Sequence, residues 1–340
     1  MTVKFIRTAA CAAAFILAAS AAGPALAWGA TGHRIIGRVA MRSLPPELPA
    51  FLRTPSAAVE VGELAREPDR WKASGKTHDS DRDAAHFLDL EDDGRVLGGP
   101  ALAALPQTRA DYEAALRAAG QDSWKAGYLP YAIVDGWQQL VKDFAYIRID
   151  VAAARNARDP ARRAWFIADA ARRRALILRD IGVFAHYVGD GSQPLHVSAH
   201  YNGWGDYPNP EGFTQERVHG PFEGAFVRAQ VREAAVMAKL PPPAPCNQTI
   251  DVCTRAYLQI TGATAIPFYR LQKAGGFSPG DPRGRTFAVE RIAAGAAQLR
   301  DLITTAWRAS ATAEAGWPPV KAADVEAGRV DPYDSLLGND

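Results

Sequence analysis

The chain has 340 residues, 48% of them hydrophobic and 22% charged, with a formal net charge of +2. That composition excludes collagen-like, low-complexity and wholly disordered chains, and the near-balance of charge excludes a strongly basic, histone-like nucleic-acid binder. Three cysteines are too few for a disulfide scaffold, and length alone suggests about two domains.

In chain order, the first feature is a short positive start at Lys4 and Arg7, followed by an apolar run from Ala9 to Ala22 and an Ala25-Leu26-Ala27 triplet. This reads as a secretory signal peptide over residues 1–27, removed between Ala27 and Trp28. The apolar run falls short of the ~20 residues that a spanning helix needs, and no later stretch is long and apolar enough to cross a bilayer. Cleavage removes Lys4, Arg7 and Cys11, which leaves 37 basic against 37 acidic residues and only Cys246 and Cys253. Those two form either a disulfide closing a small loop, as a periplasmic or extracellular location favours, or a pair of buried thiols.

The mature chain reads as all-α. Ile35, Ile36, Val39 and Ala40 recur at helical spacing between Thr31 and Leu44, and Pro45-Pro46 stops that helix. A short strand is expected at Ala85 to Leu90, then loops at Glu91 to Pro106, Val197 to Phe213 and Leu240 to Pro245. Arg162 to Asp190 is the longest periodic segment, with Leu176, Ile177, Ile181, Phe184 and Val188 on one stripe. Its other face carries Arg162, Arg163, Arg172, Arg173, Arg174 and Arg179, a solvated face or a track for a polyanion. Phe222 to Lys239 and Val289 to Arg308 also read as helices. Trp71, Trp137 and Trp165 are expected in the core. One helical domain over 28–311 and an extended C-terminal tail over 312–340 are the expected organisation.

The seven histidines of the mature chain carry the chemistry. His186 and Asp190 stand four apart on a predicted helix, so both side chains reach one ion. Gly191 and Pro194 break the helix and turn His196 back. His219 and Glu223 repeat the four-residue spacing, with Pro221 tolerable in a first helical turn. Such pairs suit zinc or another borderline metal. His78 sits in a polar loop. His200, with Tyr201 and Trp204, lies just after the motif, where the aromatic rings either stack on a nucleobase or pack on their own domain.

His186-x3-Asp190-x5-His196, with Gln193-Pro194-Leu195 inside it, resembles the signature of the zinc-dependent single-strand nucleases, a family sharing its helical fold with the bacterial zinc phospholipases C. The resemblance runs along the mature chain, through Trp28-Gly-Ala-Thr-Gly-His33, Glu-Pro-Asp69-Arg-Trp and Ala-His86-Phe-Leu-Asp. It implies three zinc ions in a cleft: Asp69, His86 and His186 on the first, the Trp28 amine and carbonyl with His33 on the second, Asp190 bridging the two, and His196, His219 and Glu223 on the third. Asp69 and Asp190 are the residues it implies at the reaction itself. It further implies hydrolysis of RNA and single-stranded DNA, with 3′-nucleotidase activity. A monomer without stable membrane insertion is expected separately, the latter from the lack of a spanning apolar stretch. Glu223 departs from the nuclease pattern, which has Asp there, and matches the phospholipases. The Trp28–His33 and His196–His219 spacings match the nucleases. A phospholipase C and a zinc-binding protein without turnover are the competing expectations.

Overall fold

The computed structural model describes residues 28–338, so the signal-peptide expectation for residues 1–27 lies outside the described residues. Capping chemistry sets the helix ends. Helix α1 (Gly29–Arg42) stops short of Pro45 and Pro46, which have no backbone N–H to continue it. Helix α2 (Pro55–Leu64) begins after Thr54, whose hydroxyl accepts from the Ala57 amide. Helices α3 (Leu129–Asn156) and α4 (Pro160–Asp190) are joined by a turn at 157–159. The Asp159 carboxylate caps α4, and Asp281 likewise caps α6 (Pro282–Ser310), which follows α5 (Ile250–Gly262). In both, proline holds the first helical position, where its missing N–H costs nothing.

The molecule is a single helical domain. The two-residue strands Glu314–Ala315 and Val320–Lys321 pair as the only sheet among the described residues. Helix α1 packs on α2, α4 and α6, while α3 packs along α4 and against α6. Ile177, Ile181, Phe184 and Val188 of α4 are buried among Ile35, Ile36 and Val39 of α1 and Ile292, Leu299 and Ile303 of α6. Full burial of such a side chain contributes about 1.5–3 kcal/mol, so this stripe outweighs any cap. Leu176 lies off the stripe and is 44% exposed. Among the described residues, no helix is long and apolar enough to cross a membrane. Cys246 and Cys253 form a disulfide.

Several segments depart from expectation. Phe222 to Lys239 is a π-helical turn (Pro221–Phe226), a short helix (Val227–Gln230), an extended break and another helix (Glu233–Ala238). Ala85 to Leu90 forms no strand: a 3-10 turn (Asp83–His86) leads into isolated bridges from Leu88 to Gly127 and from Leu90 to Val96. The tail is not extended. After the hairpin it forms helices Ala322–Glu326 and Tyr333–Leu337, and Ala315, Ala322 and Val325 close a second apolar cluster with Ile149 and Phe166. Trp137 and Trp165 are half-buried against the two clusters. Trp71 belongs to neither cluster and sits half-buried beneath two guanidinium groups.

Candidate metal centre

The last turn of α4 is the base of the site. His186 and Asp190, one helical turn apart, are fully buried, and His186 Nε2 lies 3.3 Å from Asp190 Oδ2. The same Asp190 oxygen is 3.1 Å from His86 Nδ1, at the end of the 3-10 turn. The other oxygen, Oδ1, faces His33 Nε2 from α1 at 3.4 Å. One carboxylate thus presents an oxygen to each of two neighbouring donor sets. Asp69, from the short helix Glu67–Arg70, brings Oδ1 within 3.8 Å of His186 Nε2. Two groups result, Asp69–His86–His186 and His33–His186–Asp190, and each could hold a metal ion.

The third group forms where α4 ends. Gly191 and Pro194 release the chain into the 3-10 turn Pro194–His196. The π-helical turn then carries Glu223 inward, and π-helical turns recur at functional sites because they re-aim side chains. Glu223 Oε2 lies 2.8 Å from His219 Nε2 and 3.6 Å from His196 Nε2. His196, His219 and Glu223 make a third group that could hold an ion. The start of α1 packs on it: Gly29 has φ +52°, and a Cβ there would come within 2.9 Å of the Glu223 carbonyl oxygen.

Backbone carbonyls fix the rings. His186 Nδ1 donates to Ala65 O at 2.8 Å, and His196 Nδ1 donates to His86 O at 2.6 Å, so each directs Nε2 into the site. Burial pushes the His86 and His186 imidazoles well below their usual range, which holds both in the neutral form that binds metals. Burial pushes the Asp190 carboxyl well up. For Glu223, burial works upward, but His219 and His196 outweigh it and bring the carboxyl down to about 2. Asp190 Oδ1, His196 Nε2 and Glu223 Oε1 are buried without a hydrogen bond. Such groups cost about 1–3 kcal/mol each, and a cation among them removes that cost.

The structure therefore brings together eight of the nine predicted ligand residues. Trp28 is also at the site, but through its side chain: the buried indole Nε1 donates to Gly189 O at 2.9 Å and to Ser192 Oγ at 2.8 Å. The free amine expected of it depends on cleavage within residues outside the described range. His200 packs on its own domain, stacked on Trp204 with ring centroids 3.7 Å apart. His78 belongs to none of the three groups and sits beside Asp79. Two residues were missed by sequence reasoning. Lys72 Nζ donates to Asp69 Oδ1 at 2.8 Å, and Gln193 Nε2 donates to Glu223 Oε2 at 3.1 Å. Gln193 stands inside the motif and could have been found there; Lys72 leaves no signal in a polar stretch. No protein-family model, curated protein or solved structure matches the chain.

Proposed function

We propose that the mature chain is an exported zinc-dependent phosphodiesterase, an endonuclease for RNA and single-stranded DNA that also removes 3′-phosphates from nucleotides. The observation that carries this reading is the adjacency of two donor groups that share His186, with Asp190 of one group 3.1 Å from His86 of the other, and a third group at His196, His219 and Glu223. The mixed imidazole and carboxylate donors suit zinc, and the neutral histidines and unsatisfied buried oxygens fit a bound cation. Trp28, with His33, would complete one set through its free amine.

Zinc ions held by these residues would polarise phosphoryl oxygens and lower the pKa of bound water from 15.7 towards about 7. The chain supplies the rest. Asp190 holds the two neighbouring sets in fixed register through its two oxygens. Lys72 sets a positive charge beside Asp69, where it favours an anionic phosphoryl group over a neutral one. As the water oxygen bonds to phosphorus and the bond to the leaving oxygen breaks, Asp69 would accept the water proton and solvent would protonate the departing alkoxide. Glu223 favours a second reading, a phospholipase C, because it is the residue type of that branch.

The test uses the mature chain beginning at Trp28, with single-stranded RNA, single-stranded DNA and a phosphatidylcholine emulsion, with and without chelator and added zinc. Chelator-sensitive cleavage of nucleic acid alone is the expected result. Hydrolysis of lipid alone would replace the nuclease reading with the phospholipase one, and no turnover of either would remove both. The uncleaved precursor, lacking the free Trp28 amine, is expected to be inactive.

A further inference from the structure

A cavity of about 720 Å³ adjoins the first donor group. Ala85 and Tyr187 line it, each next in sequence to His86 and His186. The Tyr187 ring stands edge-on to both histidines, with centroids 5.4 and 5.7 Å away. The donor group and the cavity therefore share a wall.

Two arginines that line the cavity are available to a ligand. Arg82 ends the short helix Lys76–Arg82 and makes no ion pair or hydrogen bond among the described residues. Arg179 stands on the face of α4 that also carries His186, two turns earlier and thus about 10.5 Å along the axis. It uses Nη1 on Asp180, at 2.6 Å, and no hydrogen bond of its Nε or Nη2 is found among the described residues. Both guanidinium groups lie 5.8 Å from the Trp71 ring centroid, within cation–π range, and Trp71 follows Asp69 by two residues. Arg109, by contrast, is committed to Glu113 at 2.9 Å and to the face of Tyr128.

The remaining lining is mixed, with apolar and aromatic side chains such as Val134, Phe184 and Tyr131 beside polar ones and the Asp180 carboxylate. Gln107, Gln138, Asp81 and Asp135 supply hydrogen-bond donors and acceptors beside the arginines. One nucleotide unit matches both halves: its phosphate takes guanidinium donors with bidentate geometry, and its base has a mixed donor–acceptor edge. We propose that this cavity is a second subsite for single-stranded nucleic acid, holding a nucleotide that flanks the phosphate at the donor groups. The ligand class rests on the phosphodiesterase reading; the subsite itself rests on Arg82, Arg179 and the shared wall.

The experiment measures fluorescence anisotropy of a labelled phosphorothioate oligothymidylate with the metal-loaded mature chain, for the wild type, Arg82→Gln and Arg179→Gln. Both side chains are exposed, so the variants are expected to fold, and a thermal melt verifies it. Each substitution is expected to weaken binding about tenfold, as the loss of a charged hydrogen bond does, and to lower the salt slope by about 0.7. The ratio of kcat/KM for the unmodified oligonucleotide to that for bis(p-nitrophenyl) phosphate is expected to fall with it. Unchanged affinity in both variants overturns the subsite. So does an equal loss on the small ester, which would assign the arginines to the reacting phosphate, or preferential binding of phosphatidylserine vesicles. Failure of the phosphodiesterase reading looks different: a wild-type chain that binds the strand yet cleaves neither substrate.

Discussion

Two regions of this molecule bury charge, and they treat it in opposite ways. On α6, Arg300 is 1% exposed. Its Nε and Nη2 donate to the two Asp301 oxygens at 2.8 and 3.0 Å, and its remaining donors reach Pro241 O and Pro242 O. Asp301 in turn accepts from the Ala244 amide at 3.1 Å. The pair fastens the proline-rich loop at 240–245 to α6 and meets its partners from within the chain. At the end of α4, equally buried groups face one another instead, with oxygens and nitrogens left without hydrogen bonds. A buried ion pair that is complete explains itself structurally. A buried cluster of acceptors that is incomplete calls for a cation from outside.

The comparison is broken most forcefully by Arg300→Ala. It leaves Asp301 buried without its counter-charge, and a loss of about 3–5 kcal/mol in urea unfolding is expected, with metal content per folded chain unchanged. Metal loss in step with the fold would mean that the two regions are one unit. Asp190→Asn has the inverse signature. Phosphodiester hydrolysis is expected to fall by at least about 100-fold, since a shared ligand matters no less than the outer partners that cost 10–100-fold. The metal-free variant should unfold at the same or higher denaturant concentration than the wild type, because a carboxyl that burial pushes well up no longer has to ionise. A destabilised metal-free Asp190→Asn would place that carboxylate with Asp301 as a structural group. Gln193→Leu acts on the third group alone, because it removes the amide that holds Glu223 Oε2 and the oxygen that accepts from the Leu195 amide in the turn carrying His196. A metal affinity about tenfold lower, read by chelator competition and confined to one ion, is expected; equal loss of all ions would contradict separate groups.

The smallest expected effect concerns carboxyls outside both regions. Burial, with Asp169 beside it, pushes Asp150 up to about 8, and burial with Asp180 pushes Asp143 up to about 7. In the fold both stay protonated at pH values where the unfolded chain has released its protons. The fold then binds more protons, so its stability is highest at the acidic end and declines as pH rises from about 4 towards 8. Asp150→Asn is expected to flatten that slope in chelated protein, and an unaltered slope in urea unfolding between about pH 5 and 8 would contradict the assignment.

Local periodicity made α1, α4 and α6 legible, because each buries one clear stripe. It passed over α3, which packs on both α4 and α6 and buries residues around much of its circumference, among them Ile133, Leu140, Phe144, Ile147 and Ile149. The π-helical turn was legible only as a proline within an expected helix, since Pro221 does not state which irregular geometry follows. The tail reads as extended because its apolar residues, from Ala315 and Ala322 to Val325 and Tyr333, are scattered without a period, and only α3 and α4 reveal what they cover. The donor set was legible because its spacings are short and ordered along the chain. Lys72 and Arg82 were not, as single cations on exposed or polar segments acquire meaning only from what lies across the cleft; Arg179 was legible only as one of six arginines on a helix face.

Anomalous diffraction from crystals of the mature chain, recorded on both sides of the zinc absorption edge, would locate any zinc bound at the end of α4. Three zinc peaks are expected, one facing His86 and His186, one facing His33, with Asp190 between them, and one among His196, His219 and Glu223. A mature chain loaded with excess zinc that shows no peak at these side chains would contradict the zinc reading of all three groups.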